Sequence, residues 1–323
     1  MAQREVVGRF APSPSGRLHL GNLFCSLLVW LSAKQQGGRI LLRIEDLDPA
    51  RSKREYTDQL QRDLEFLGLD WDEGGCGAAG PHAPYEQSLR GPFYEQILSR
   101  LRRQGLVYPC FCSRAQLHAA SAPHAADGEV VYPGTCRNLS EEEIRRRILL
   151  RDPALRLIVP DEEISFFDRH YGRCSQNLAR ECGDFILRRS DGVFAYQLAV
   201  VADDAAMGVT EVVRGRDLLS STPRQLYLYR LLGAAPPSFC HLPLLLAPDG
   251  RRLSKRDADL GLDALRARGF TAAGITGALA YTAGLLERPV PATPRQLLPL
   301  FRWDKIPKED IPLPAGLFDG PPF

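Results

Sequence analysis

The feature that most constrains this chain is an apolar run passing through a glycine-containing loop into residues of helical periodicity. Val6 to Phe10 is the run, and Ala11-Pro12-Ser13-Pro14-Ser15-Gly16 follows it, which predicts a buried strand and then a tight loop. Leu20, Leu23, Phe24, Leu27, Leu28 and Leu31 recur at helical spacing, so a helix is predicted next. Amides at a helix N-terminus attract anions, and a strand, loop and helix in that order suit a nucleotide phosphate. The Gly-x-Gly-x-x-Gly pattern of dinucleotide binders is absent, which removes the main support for hydride transfer.

A second run, Arg39 to Ile44, ends in Glu45-Asp46-Leu47-Asp48-Pro49 and places carboxylates at the carboxyl end of a strand. That edge is where open α/β sheets bind ligands. Tyr56, Leu60, Leu64 and Leu67 predict an amphipathic helix closed near Gly68. Asp184 to Arg188 and Val193 to Val201 read as a strand and a strand-plus-helix around the Asp191-Gly192 turn. Thr222 is a predicted N-cap for a helix reaching Leu232, with Pro223 first in the helix and Gln225 completing a capping box. Beyond Arg256 the pattern is helical to about Leu286 and then Pro-rich. Strands alternating with helices predict a Rossmann-type, doubly wound parallel sheet of the α/β class.

Lys and Arg total 41 against 39 for Asp and Glu, so the net charge of +2 draws no nucleic acid globally, and RNA binding has to come from local basic faces. The polar start and the lack of a long apolar run predict neither a signal peptide nor a membrane span, and a cytoplasmic monomer is expected. Eight cysteines in 323 residues do not read as a disulfide scaffold. Ala115 to Gly128, rich in small residues, reads as a mobile insertion.

Two loops carry chemistry. Pro12 and then His19-Leu20-Gly21-Asn22 offer backbone amides, an imidazole and close approach to a triphosphate, although the same residues also describe a Pro-rich turn with a helix-capping histidine. Arg252-Leu253-Ser254-Lys255-Arg256 follows the Asp249-Gly250 turn, and its lysine can swing toward phosphates. Alone, it also reads as a solvated basic turn.

Together these segments show a resemblance. RFAPSPSGRLHLGN resembles the HIGH region, and RLSKR the KMSKS loop, of class I aminoacyl-tRNA synthetases of the glutamate group. LLRIEDLDPAR, DFILRRSDGVFAYQLAVVADD, GVTEVVRGRDLLSSTPRQ and HLPLLLAPDGRRLSKRD extend the likeness from Arg4 to about Asp257. Phe194 to Asp204, and an end soon after the second loop, resemble the truncated branch of the group that carries no anticodon-binding domain.

The resemblance implies ATP-dependent formation of glutamyl-adenylate with Mg²⁺, and transfer of glutamate to queuosine at the wobble position of tRNA(Asp). It also implies that this branch activates glutamate without tRNA. A glutamyl-tRNA synthetase acting on a tRNA 3′ end and a nonenzymatic tRNA-binding paralogue are the alternative readings. By the same resemblance His19 and Lys255 are catalytic, and His19, Gly21, Asn22, Ser254 and Lys255 hold ATP. Arg9 and Arg214 take the glutamate carboxylates, Glu45 takes the ammonium, and Ala11, Ser13 and Tyr196 complete the site. Read without the motifs, Arg9 and Glu45 also fit a mutual ion pair, and Tyr196 fits the core.

Cys110, Cys112 and Cys136 supply three thiolates, one short of a tetrahedral structural zinc site. Chemistry alone points to His118 or His124 as fourth ligand, whereas the resemblance implies Tyr132; the plain alternative is two buried thiols and a surface cysteine. The expected organisation is a first catalytic half (1–105), a zinc-bearing, acceptor-binding insertion (106–182), a second catalytic half (183–257) and a short helical extension (258–323).

Overall fold

The computed structural model describes residues 5–113, 131–253 and 260–320. The expectations for 115–128, His118, His124, Ser254, Lys255 and Arg256 lie outside the described residues.

Strand β1 (Val7–Phe10) leads through the predicted loop into helix α1 (Leu20–Gln35). Strand β2 (Arg39–Leu42) returns parallel to β1, with Val7 opposite Arg39 and Phe10 opposite Leu42. Helix α2 (Arg54–Phe66) then leads to the short strand β3 (Glu73–Gly74), parallel to β2. Next come α3 (Gly91–Arg103), β4 (Val107–Cys110), α4 (Glu141–Ile148), β5 (Ala154–Leu157), β6 (Glu163–Asp168), β7 (Gly172–Asn177) and β8 (Phe185–Arg188). Helix α5 (Tyr196–Ala206), strand β9 (Glu211–Gly215), helix α6 (Thr222–Leu232) and strand β10 (Ser238–Leu242) follow, and α7 (Leu262–Ala267) and α8 (Ala272–Thr282) come after them.

Strands β9, β10 and β6 are parallel neighbours, and β7 pairs antiparallel with the outer side of β6. Strand β1 lies against the start of β9: the Thr210 N–H donates to the Val7 carbonyl at 2.9 Å, and the Val7 N–H donates to Thr210 Oγ1 at 2.7 Å. Strands β4, β5 and β8 form a separate antiparallel sheet.

Strands β1, β2, β9 and β10 are buried on both faces because both are covered, whereas β6 and β7 leave residues such as Phe167 exposed. Ile40, Leu42, Val213 and Leu242 pack with Leu20, Leu23, Leu27 and Leu31 of α1 and with α8. Leu41, Val212 and Phe239 point the other way, into a core with Tyr94 and Leu98 of α3, Leu198 of α5 and Leu228 of α6. Each such buried leucine contributes about 1.5–3 kcal/mol.

The expected N-cap at Thr222 is a correction. Helix α6 begins at Thr222 itself, Ser221 is its N-cap without a side-chain bond, and the Thr222 hydroxyl is engaged by Arg214 instead. The Ala/Leu-rich stretch is broken into α7 and α8 at Gly269, whose φ of 91° ends the first helix. Among the described residues no helix is long and apolar enough to cross a membrane. All eight cysteines are free.

Candidate active site and cysteine cluster

The carboxyl ends of β1, β2 and β9 and the amino end of α1 converge on one cavity of about 720 Å³. His19 is both readings at once, a helix cap and a cavity wall: its Nδ1 accepts the Gly21 N–H at 3.1 Å, while Asn22 Oδ1 accepts the His19 N–H at 3.1 Å. Because Nδ1 accepts, the ring proton resides on Nε2. A Cβ on Gly21 would lie 3.0 Å from His19 Cε1 and 3.1 Å from Nδ1, so any larger residue would push the imidazole from this position. That Cβ would also lie 3.9 Å from Leu253, which brings the start of the RLSKR segment next to HLGN. Arg252 bridges back to Leu246 just before the described residues pause.

Arg9, Ala11, Ser13, Glu45, Tyr196 and Arg214 all line this same cavity, as do His19 and Asn22. The two arginines are almost fully buried, at 4% exposure each. Arg9 Nη1 donates to the Val213 carbonyl at 3.1 Å, and its Nε lies 3.6 Å from Asp204. Arg214 Nη2 donates to Thr222 Oγ1 at 2.9 Å and to the Leu218 carbonyl at 3.3 Å. Its Nη1 is buried without a well-formed hydrogen bond, beside the Tyr196 phenol. Burial lowers the affinity of Arg214 for its proton and pushes the Tyr196 hydroxyl up. Two guanidinium groups in so dry a place favour an anionic ligand.

Glu45 is not the partner of Arg9. It accepts from Arg43 Nη2 at 3.0 Å, and Arg43 Nη1 donates to Asp204 at 2.6 Å. Burial raises the Glu45 carboxyl above its usual value, against the pull of Arg43. Asp203, behind this cluster, accepts from Arg90, Gln87 and Tyr94. Arg43, Asp203 and Asp204 were not expected to support the site. The available signal was an arginine inside the apolar run of β2 and two aspartates inside the apolar helix α5, since buried charge needs partners.

A second cavity, of about 810 Å³, shares Ser13, Ser15, Glu45 and Tyr196 with the first and reaches Arg151, Arg156, Arg189 and Cys110. Cys110, Cys112 and Cys136 place their sulfurs within 4.8 Å of one another, with Cys112 and Cys136 at 3.6 Å. Zinc bonds of about 2.3 Å set tetrahedral sulfur separations of about 3.8 Å, so the cluster fits such an ion. Cys110 and Cys136 are buried and Cys112 is half-buried, the burial expected of unrelated thiols, but their convergence is not.

The Tyr132 hydroxyl lies 3.5 Å from Cys110 Sγ and accepts the Cys136 N–H at 2.9 Å, and the Arg156 guanidinium stacks 3.7 Å over its ring. Burial opposes the Cys110 thiolate, but the Tyr132 hydroxyl, the Cys112 amide and Arg156 outweigh it and lower the thiol's pKa. Burial and the neighbouring Cys110 raise Cys112 to about 12.

Residues 5–280 match the family model of class I tRNA synthetases (E and Q), catalytic domain. The chain is 53% identical over 314 residues to the glutamyl-Q tRNA(Asp) synthetase of Symbiobacterium thermophilum, covering 96% of each protein. It is 51% identical over 317 residues to that of Nitratidesulfovibrio vulgaris, covering 97% of each. A crystal structure of a glutamate tRNA ligase from Elizabethkingia meningosepticum in complex with its amino acid is similar with a TM-score of 0.82 and 28% identity, over 97% of this chain and 68% of that one.

Proposed function

As the chain belongs to the class I tRNA synthetases for glutamate and glutamine, we propose that it activates glutamate with ATP and transfers it to queuosine in tRNA(Asp). The observation that carries this reading is the cavity in which Arg9, Arg214, Glu45 and Tyr196 meet beside His19. Two buried guanidinium groups complement two carboxylates, and one carboxylate complements one ammonium. A dicarboxylic amino acid has that charge pattern.

The glutamate α-carboxylate oxygen attacks the α-phosphorus of ATP, and the bond to pyrophosphate breaks. The attacking group belongs to the substrate, so the protein's task is positioning and charge stabilisation. Arg9 and Arg214 orient the carboxylates, Glu45 holds the ammonium, and the His19 Nε2–H faces the triphosphate together with Gly21 and Asn22. Ser254 and Lys255 of the RLSKR segment bind the phosphates. Mg²⁺ arriving with ATP supplies neutralising charge. A hydroxyl of the queuosine cyclopentene-diol then attacks the acyl carbon, and AMP departs.

The acceptor assignment is supported by the names of the two relatives and by the second cavity, whose arginines suit an RNA backbone. Cys110, Cys112, Cys136 and Tyr132 would hold one zinc ion in a closed structural site beside it.

The test is glutamate-dependent ATP–pyrophosphate exchange without RNA, followed by transfer of labelled glutamate to queuosine-containing tRNA(Asp). Exchange that appears only with tRNA(Glu) would replace this reading with an ordinary glutamyl-tRNA synthetase. Saturable RNA binding without any exchange would leave a binding module.

A further inference from the structure

We propose that Asp168 and His241 are positioning residues that hold Arg214 in the orientation needed to take a substrate carboxylate. The inference rests on the reading of Arg214 as a carboxylate-binding group.

The three residues stand side by side on β6, β10 and β9, with His241 directly opposite Arg214 in the parallel register. Asp168 and His241 are completely buried. His241 Nδ1 lies 2.6 Å from Asp168 Oδ2, and Arg214 Nε donates to His241 Nε2 at 3.0 Å. A guanidinium has donors only, so Nε2 must accept and the ring proton must sit on Nδ1, where the Asp168 carboxylate receives it. The Thr222 hydroxyl lies 3.4 Å from the same Nε2, and its oxygen accepts from Arg214 Nη2. Burial foremost, with the Arg214 and Arg9 charges, holds the imidazole below the usual histidine value against the pull of Asp168. His241 is thus a neutral acceptor between a carboxylate and a guanidinium.

Asp168 is itself aimed. Its Oδ1 accepts the backbone N–H groups of His170 and Tyr171, each at 2.9 Å, in the turn between β6 and β7. Oδ2 takes the imidazole and also accepts the His241 backbone N–H at 3.1 Å, which fixes the carboxylate against that residue. At the other end, Nε and Nη2 of Arg214 are occupied by His241, Thr222 and Leu218, which leaves Nη1, beside the cavity-lining Tyr196, as the nitrogen without a well-formed hydrogen bond. The relay therefore decides which nitrogen of the guanidinium is left for substrate.

Asp168→Asn tests this with almost no change of shape. Its oxygen stays with the His170 and Tyr171 amides, so the amide nitrogen faces His241, where it gives up the bond from the backbone N–H and drives the ring proton from Nδ1 to Nε2, against the Arg214 Nε–H. The expected result is a rise of about 10-fold or more in the glutamate KM for pyrophosphate exchange, with the ATP KM within about 2-fold of the parent. His241→Leu should raise the glutamate KM similarly, and adding Asp168→Asn to it should raise that KM no further, because the side-chain route from Asp168 to Arg214 is already cut. His241→Gln, whose amide oxygen can take the place of Nε2, should recover most of the loss.

A glutamate KM unchanged in Asp168→Asn, a parallel rise for ATP, or additive effects in the double variant would each overturn the relay. Imidazole nitrogen NMR reads the tautomer without any activity: an Nδ1–H in the parent that moves to Nε2 in Asp168→Asn supports the relay, and an Nε2–H in the parent overturns it. Absence of exchange in the parent protein would instead remove the glutamate reading, leaving the NMR result to decide the relay separately.

Discussion

Arg43 Nη2 donates to Glu45 Oε1 at 3.0 Å, tying the one carboxylate assigned to the substrate ammonium to a fully buried guanidinium. The same guanidinium bonds Asp204, which also pairs with Arg9. The groups proposed for the ammonium and for a carboxylate of glutamate thus hang on one internal charge cluster. Removing its centre takes the guanidinium from two buried carboxylates, Glu45 and Asp204, so Arg43→Met should cost about 3–5 kcal/mol, measured by urea denaturation. A loss below about 1 kcal/mol would show that the cluster reorganises.

Glu45 should trade stability for binding. Its carboxyl is raised by burial despite Arg43, so its contribution to stability is complete below the unfolded value and is lost as pH rises through the folded one. Ionised Glu45 therefore works against the fold at neutral pH. Glu45→Gln is expected to melt at a higher temperature at pH 7.5 while its glutamate KM rises about 10-fold or more. In the parent, glutamate binding should weaken as pH falls through a window lying above the usual value of 4.5.

Gly21→Ala should act through His19. The new methyl meets the imidazole at 3.0 Å, while alanine in the first turn of α1 is favourable for the helix. Maximal exchange is expected to fall about 10-fold or more, with thermal stability unchanged or slightly improved. Full exchange activity in this variant would remove His19 from the phosphate site.

Arg214→Ala and Lys255→Ala should separate the two substrates. The first removes charge-assisted hydrogen bonds worth about 1.5–3 kcal/mol, so the glutamate KM should rise roughly 10- to 100-fold. The second should cut adenylate formation with glutamate affinity nearly intact, as equilibrium binding and single-turnover assays can distinguish. Equal effects on both quantities in both variants would merge the two roles.

Cys136→Ser should lower bound zinc from about one ion per chain, measured by elemental analysis of the purified protein. Pyrophosphate exchange without RNA is expected to stay within about 2-fold, because the cluster borders the second cavity and none of its cysteines lines the one that holds His19, while transfer to tRNA falls. Parent protein free of zinc after purification in its presence would count against the site.

The sequence alone determined the β1–loop–α1 passage, the strand β2 with the carboxylates after it, and the choice of Arg9, Ala11, Ser13, His19, Asn22, Glu45, Tyr196 and Arg214, which line one cavity. These depend on spacing along the chain and on chemistry carried by single residues: the leucines of α1, the turn before His19, the carboxylates after β2. Even the three cysteines were legible as a set, since their side chains can do little else together.

Tertiary structure decided which partner each charge took. Arg9 and Glu45 were compatible with pairing to each other, yet Asp204 and Arg43 claim them. Thr222 fits a cap by its sequence, yet its hydroxyl accepts from Arg214, and His241 meets Asp168 only because β6 and β10 lie side by side. A buried charge must find a partner, but the sheet alone determines which opposite charge arrives within hydrogen-bond reach. For Arg9, Arg43 and Asp168 that choice falls on residues tens to hundreds of positions away, where no local pattern records it.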